Sequence, residues 1–184
     1  MLLVGGYGRF HEQDFHTLTR GWSRAKGETI CGRGSTMSAT ESVRRELPRW
    51  FRNYGIRSLA DAGAGDRNWS RHLDLTGVAY RGFDLCPRHE TVEPFDITSE
   101  VLPTHDAILC RHVLNHLTDA LVGETVARFR QAAQYLIANT YPAGVTACDA
   151  KLGMWTRWNL AHWLGEPMET CPDIEGVMAI WRLK

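Results

Sequence analysis

Apolar side chains at Val43, Leu47, Trp50, Phe51 and Tyr54 recur at the three-and-four spacing of one helix face. Ser38-Ala39-Thr40-Glu41 ahead of them matches a capping box, so a helix is expected to start there. Pro48 predicts a kink or two short helices, and Gly55 a stop. The pattern then changes to short apolar runs at Ser58–Ala62, Ala79–Asp84, residues 92–95, residues 107–110 and residues 135–138. Helical stretches are expected between them, at residues 67–73 and at residues 113–133 with a break at Gly123. Strands alternating with helices at this spacing predict βαβ units and a parallel α/β sheet. Residues 142–176 lose all periodicity but carry Trp155, Trp158 and Trp163, too aromatic for disorder. The run from Val177 to Leu183 reads as a last strand.

A length of 184 residues suits one domain spanning 1–184, with residues 1–57 as an amino-terminal loop and helices and residues 142–176 as an irregular segment. Net charge is zero, so no global field draws the chain to nucleic acid or membrane. Ten Lys/Arg stand against five Asp/Glu up to Arg57, part of them on the helix of Arg44, Arg45, Arg49 and Arg52, a solvated face or a binding patch. Five cysteines without C-x-x-C spacing argue against a zinc site or a disulfide framework. Met1–Val4 is too short an apolar run for a secretory signal, and no stretch is long enough to span a membrane. A cytoplasmic setting is expected. Gly5, Gly6 and Gly8 suggest a flexible start, and Trp22 is expected to pack back on the domain.

The first strand runs into Asp61-Ala62-Gly63-Ala64-Gly65-Asp66, and the second ends in Asp84. In a parallel sheet both acids face the crevice at the carboxyl ends of the strands. A dinucleotide fold wants a third glycine, and Asn68 stands there instead. Asp66 would also repel a phosphate. An adenosine without phosphates and with a cationic tail, such as S-adenosylmethionine, suits the turn better; the bland alternative is a strand-turn-helix with chance glycines.

The turn and Asp84 resemble the first two motifs of class I S-adenosylmethionine-dependent methyltransferases, D/E-x-G-x-G and an acid closing the second strand. Phe95-Asp96-Ile97 resembles the third. The set of Gly32-Arg33-Gly34-Ser35-Thr36, Asp61 to Trp69, Cys110 to Leu117 and Trp155 to Leu160 is similar to a small bacterial and phage subgroup without an assigned substrate. His112 departs from the acid expected there. The resemblance implies a Rossmann-like, doubly wound, seven-stranded sheet, mostly parallel with an antiparallel carboxyl-terminal strand. It further implies that Gly63, Gly65, Asp66, Trp69, Asp84, Leu85, Asp96, Ile97 and Arg111 hold the cofactor, Asp84 through the ribose and Asp96 through the adenine amino group, with Asp61 ordering the loop. Ser35 and Thr36 would bond the methionine carboxylate, or form a plain turn.

Methyl transfer needs an oriented acceptor and sometimes a base, so the residues after the fourth strand matter most. Cys110-Arg111-His112-Val113 is not the Asp/Asn-Pro-Pro-aromatic box of amino-methylating DNA enzymes, and no Pro-Cys dipeptide is present for cytosine C5 chemistry. Cys110 reads as inert core. His112 and His116 at four-residue spacing would share a helix face, His112 as general base or packed ring, His116 more as a packed ring. Arg111 would pair with an acceptor anion, or with Asp84 or Asp106. Trp155, Arg157, Trp158 and Asn159 form either a lid over the acceptor or packing on a sheet face, and Tyr141 is a weaker acceptor contact. A metal site is not expected. The reading is a methyltransferase acting on an O or N atom of a small molecule or sugar. A nucleic-acid acceptor, a cofactor-binding module without transfer and a nicotinamide oxidoreductase are the rivals.

Overall fold

The computed structural model describes residues 27–184. The flexible start and the packing of Trp22 expected from the sequence lie outside the described residues. Helix α1 spans Glu41–Asn53. It is followed by strands β1 (Ser58–Ala62), β2 (Ala79–Asp84), β3 (Val92–Pro94), β4 (His105–Cys110), helix α2 (Asp119–Ala132), β5 (Ala133–Thr140), the short helix α3 (Ala161–Leu164), β6 (Glu169–Pro172) and β7 (Val177–Arg182). They form one seven-stranded sheet in the order β3-β2-β1-β4-β5-β7-β6. The five strands β1 to β5 pair in parallel, and β7 enters antiparallel between β5 and β6.

Strand alternation sends side chains to two faces. On one face Leu59, Leu109, Ile137 and Met178 meet Val43, Leu47, Trp50 and Phe51 of α1. On the other Ala60, Ile108, Leu136 and Trp181 meet Val122, Val126 and Phe129 of α2, with Trp158 beside them. The sheet is covered on both sides. The chain order reverses between β1 and β4, where ligands bind in folds of this topology.

Several local expectations are corrected. Pro48 sits inside one continuous α1 rather than dividing it. The proline costs about 3 kcal/mol, but it is buried with four large apolar neighbours, each contributing roughly 1.5–3 kcal/mol. The capping box does not form: Thr40 occupies the cap position without a side-chain bond to the helix amides, and its hydroxyl instead donates to the Thr36 carbonyl at 2.9 Å. Residues 67–73 make only a 3-10 turn, Ser70–His72. Asp66 Oδ1 accepts the Asn68 amide at 3.0 Å and Arg67 takes a positive φ of 56°, so side-chain bonding competes with the helix.

The helical region after β4 breaks before Thr118, not at Gly123. Thr118 caps α2 by accepting from the Leu121 amide, and Gly123 lies within the helix, where a β-carbon would stand 3.2 Å from the Trp163 indole nitrogen. The aperiodic residues 142–176 contain α3 and β6; a four-residue edge strand ending in proline is too short to announce itself. Trp50 and Tyr54 both donate to the Glu169 carboxylate, at 3.1 and 2.6 Å, fastening α1 to that edge.

Candidate active site

The carboxyl ends of β1 and β2 build the first half of the site. Gly63 has φ 99° and Gly65 φ 57°, conformations that L side chains resist. A side chain at Gly63 would strike Val113 and one at Gly65 the Cys31 sulfur, so the turn is closely packed as well as left-handed. Asp84 accepts the Gly65 amide through Oδ2 and the Cys86 amide through Oδ1, both at 2.9 Å. A carboxylate offers about four acceptor positions, so each oxygen keeps capacity for a further donor. Burial pushes the Asp84 carboxyl up, against the pull of the two amides. Asp61 lies deeper and accepts the Tyr80 hydroxyl at 2.6 Å. Burial pushes it up to about 6, tempered by that bond. Asp96 accepts from Thr98 and Ser99 and so ties the turn after β3. Leu85 and Ile97 follow these two acids in the same edge, and Ile97 is buried.

Residues 28–36 strap across this turn. Asp66 Oδ2 accepts the Thr29 hydroxyl at 2.7 Å and the Ile30 amide at 3.0 Å. Asn68 donates to the Glu28 carboxylate and to the Ser35 carbonyl. Arg111 Nη1 donates to the Gly34 carbonyl at 2.7 Å. The Asp66 carboxylate thus holds the strap, and the Thr36 hydroxyl donates to the Arg33 carbonyl within the turn. Trp69 is buried beneath, 5.5 Å from the Arg111 guanidinium.

The end of β4 builds the second half. Arg111 is buried and pairs twice with Asp173, Nε to Oδ2 at 3.1 Å and Nη2 to Oδ1 at 2.6 Å. The two side chains are 3% and 0% exposed, which makes this a desolvated, bidentate pair. His112 Nε2 lies 3.0 Å from Asp173 Oδ2. Burial pushes Asp173 up, but the His112 hydrogen bond and the Arg111 charge outweigh it and hold the carboxyl below its usual range. Burial pushes His112 down, only partly countered by Asp173. An ionised Asp173 accepting from neutral His112 requires the proton on Nε2, leaving the lone pair on Nδ1. Gly34 makes room for that edge: a β-carbon there would sit 3.0 Å from Nδ1.

His112 and His116 do not share a helix. His112 has φ 56° and His116 lies in the 3-10 turn Leu114–His116. Their rings nevertheless converge on Trp155, each with centroids 5.3 Å from it. Trp155 is 40% exposed and also faces the Tyr141 ring at 6.5 Å. The Tyr141 hydroxyl is buried and has no hydrogen-bond partner among the described residues. Burial pushes it up to about 12. The tryptophans divide: Trp155 covers the histidines, while Trp158 is core, its indole donating to the Leu117 carbonyl. Arg157 is exposed, 3.8 Å from Glu175, and Asn159 ties the turn into α3 by accepting from Ala161. Cys110 is buried and its thiol is pushed up by burial, so no thiolate stands there.

A groove of about 720 Å³ lies along residues 28–42 and the end of β6, with Glu28, Arg33, Thr36, Ser38, Glu41 and Asp173 in its walls; His112, Trp155, Tyr141, Gly63 and Asp84 do not line it. It is in the range of small-molecule sites. Among the described residues no group of His, Cys, Asp and Glu could hold a metal, and no helix is long and apolar enough to cross a membrane. On α1, Arg44 is spent on the Met37 carbonyl and Arg45 and Arg49 on Glu46. Asp173, Asn115 and Asn139 are the site residues that sequence reasoning missed. Asp173 followed an unrecognised strand, and a buried asparagine has no periodic signature.

No family model and no curated protein sequence matches the chain. Solved structures do. The pyocyanin biosynthetic protein PhzM superposes with a TM-score of 0.63 at 16% identity, covering 91% of this chain and 61% of its own. Magnesium protoporphyrin IX methyltransferase from Synechocystis PCC 6803, solved with bound S-adenosylmethionine, gives 0.56 at 16% identity, covering 90% and 94%. The O-methyltransferase NcsB1 of neocarzinostatin biosynthesis, solved with S-adenosylhomocysteine and 1,4-dihydroxy-2-naphthoic acid, gives 0.55 at 12% identity, covering 81% and 59%. The chain spans about three fifths of the length of the first and third. It has the class I methyltransferase fold.

Proposed function

We propose that this protein is an S-adenosylmethionine-dependent methyltransferase that moves a methyl group to an oxygen or nitrogen of a small-molecule or glycan acceptor, with His112 as general base. The observation that carries this reading is the His112 ring held by Asp173 at 3.0 Å at the end of β4, beside the glycine turn and Asp84.

The residues present fit the cofactor. Asp84 keeps acceptor capacity suited to ribose hydroxyls, and Asp61 and Asp84 give the crevice an acidic floor suited to a sulfonium rather than a phosphate. When bound, S-adenosylmethionine supplies an electrophilic methyl group. The chain supplies the rest. Trp155 and Tyr141 cover and orient the acceptor. His112 Nδ1 takes the acceptor proton, and Asp173 holds the imidazolium so formed. Likeness to enzymes solved with this cofactor and with a dihydroxynaphthoate supports a small acceptor. Arg44, Arg45 and Arg49 of α1 bond to neighbouring groups, which disfavours their use on a nucleic-acid backbone. Five free cysteines suit a reducing, cytoplasmic setting.

Isothermal titration with S-adenosylhomocysteine, with NAD as control, is the test. Micromolar binding of the first alone is expected; no binding overturns the cofactor assignment. On a panel of phenolic, amine and sugar acceptors, His112→Ala is expected to lower turnover by about 10²–10⁴-fold with unchanged S-adenosylhomocysteine affinity. Binding without turnover on any acceptor favours a non-catalytic cofactor-binding module.

A further inference from the structure

The left-handed backbone of His112 is a conformation that a non-glycine residue keeps only where its surroundings hold it. A chain of side-chain amides does so. Asn139 Oδ1 accepts the His112 backbone N–H at 2.6 Å. Asn139 Nδ2 donates to Asn115 Oδ1 at 2.8 Å. Asn115 Nδ2 donates to the Thr156 carbonyl at 3.0 Å, and the Thr156 amide returns a bond to the Asn115 carbonyl at 2.8 Å. Asn115 and Asn139 are 2% and 3% exposed, so their bonds are made inside the protein.

Each amide has one orientation that works. A flipped Asn139 would set its own NH₂ against the His112 N–H, donor facing donor. The chain ends at Thr156, the residue after Trp155, whose ring packs on His112 and His116. Gly153 closes the same segment by donating to the His116 carbonyl at 2.7 Å. One run of hydrogen bonds therefore reaches both the backbone of His112 and the segment that roofs its ring.

We infer that Asn139 and Asn115 are positioning residues, which lock His112 in place and couple its placement to that of Trp155. The inference rests on the reading of His112 as the base. It makes the base a two-part assembly: an acceptor that seats or displaces Trp155 also seats or displaces His112. Apolar residues of equal size would fill the same space without this coupling.

The test uses the full-length, ¹⁵N-labelled protein and needs no acceptor. Amide exchange and the imidazole ¹⁵N signals of His112 are read by NMR in wild type, Asn139→Ala, Asn139→Asp and Asn115→Ala. In Asn139→Ala the His112 amide is expected to exchange about tenfold faster, and the imidazole to leave its single Nε2–H tautomer. Asn115→Ala is expected to cause a smaller change of the same kind at His112, which it does not touch. Asn139→Asp is isosteric and covers the case in which alanine does not fold. It keeps the acceptor for His112 and loses the donor to Asn115, so His112 exchange is retained while the Trp155 indole signal, assigned from Trp155→Phe, shifts. Unchanged His112 signals in folded Asn139→Ala overturn the positioning role. A His112 signal indifferent to Asn115→Ala, or a Trp155 signal indifferent to Asn139→Asp, overturns the coupling. Titration with S-adenosylhomocysteine is run in parallel: if it binds none of the proteins, the methyltransferase reading fails while the NMR result still decides the positioning role.

Discussion

The two halves of the site are held by different kinds of bond. On the β1–β2–β3 side, the acids Asp84 and Asp96 bond to backbone amides and small hydroxyls at the strand ends: Asp84 to the Gly65 and Cys86 amides, Asp96 to Thr98 and Ser99. On the β4–β5–β6 side, side chains bond across the fold: Arg111 and His112 to Asp173, Asn139 to Asn115, Asn115 to Thr156. The first half needs only β1, β2, β3 and the strap of residues 28–36, whose Thr29 and Ile30 bond to Asp66. The second exists only once the whole sheet has closed, because β6 and β7 must be in place to bring Asp173 to β4. The first half is bonded mainly through backbone amides and hydroxyls, whereas the second depends on large charged and amide side chains meeting with correct geometry.

The largest contrast is expected from Asp173→Ala. It leaves the Arg111 guanidinium buried without its bidentate partner, and loss of one member of such a pair costs about 3–5 kcal/mol. Thermal unfolding is expected to fall by roughly 6–20 degrees, with Asp173→Asn milder. Asp173 raises the His112 pKa, so Asp173→Asn is also expected to move the His112 titration, read by NMR, to still lower pH. Unchanged stability in Asp173→Ala would erase the difference between the halves.

Asp61→Asn comes next, with the opposite sign. The folded pKa of Asp61 is raised to about 6, so between the unfolded value near 3.8 and 6 the folded state holds a proton that the unfolded state has lost. Stability therefore falls as pH rises through that window. Asp61→Asn is expected to remove this fall and to gain up to about 3 kcal/mol at pH 7, while loosening the loop that receives the cofactor. Denaturant titrations at pH 4 and pH 7 check it; an equal effect at both would refute the assignment.

Asp84→Ala is expected to weaken S-adenosylhomocysteine by about 30–100-fold, the loss of a charge-assisted pair of ribose bonds. Calorimetry measures it, and unchanged affinity in a folded variant would move the ribose elsewhere. The smallest effect is expected from Tyr141→Phe. Its hydroxyl is buried beside the Asn115 and Asn139 side chains but not in full hydrogen-bond geometry with either, so its removal is expected to change the stability of the free protein by no more than about 1 kcal/mol and to weaken only acceptor binding, leaving the cofactor half untouched. Melting temperatures with and without acceptor report both.

The same contrast explains what could be read in advance. The short runs read from the sequence located β1, β2, β3, β4, β5 and β7, and β6 alone was missed. The Asp61–Asp66 turn and Asp84 carried their chemistry in adjacent residues. The partner of Arg111 did not: Asp84 and Asp106 were expected, and Asp106 is instead spent on the Arg57 and Ser58 amides. Asp173 lies 62 positions away, behind a strand with no hydrophobic signature. His112 and His116 were brought together by helical spacing that is not there, yet their rings meet at Trp155 because a left-handed residue and a tight turn give the same convergence. The first helix starts at Glu41 as expected although its capping box does not form, whereas the helix expected over residues 67–73 failed where the Asp66 side chain took the Asn68 amide.

Both edges of the sheet share a feature with a consequence for concentrated solutions. β3 is three residues long and closes on Pro94; β6 is four residues long and closes on Pro172. Proline has no N–H to offer an incoming strand, and so short an edge gives another chain little to template on. The two short, proline-ended edges thereby resist strand addition at either side, which protects the protein against edge-to-edge aggregation.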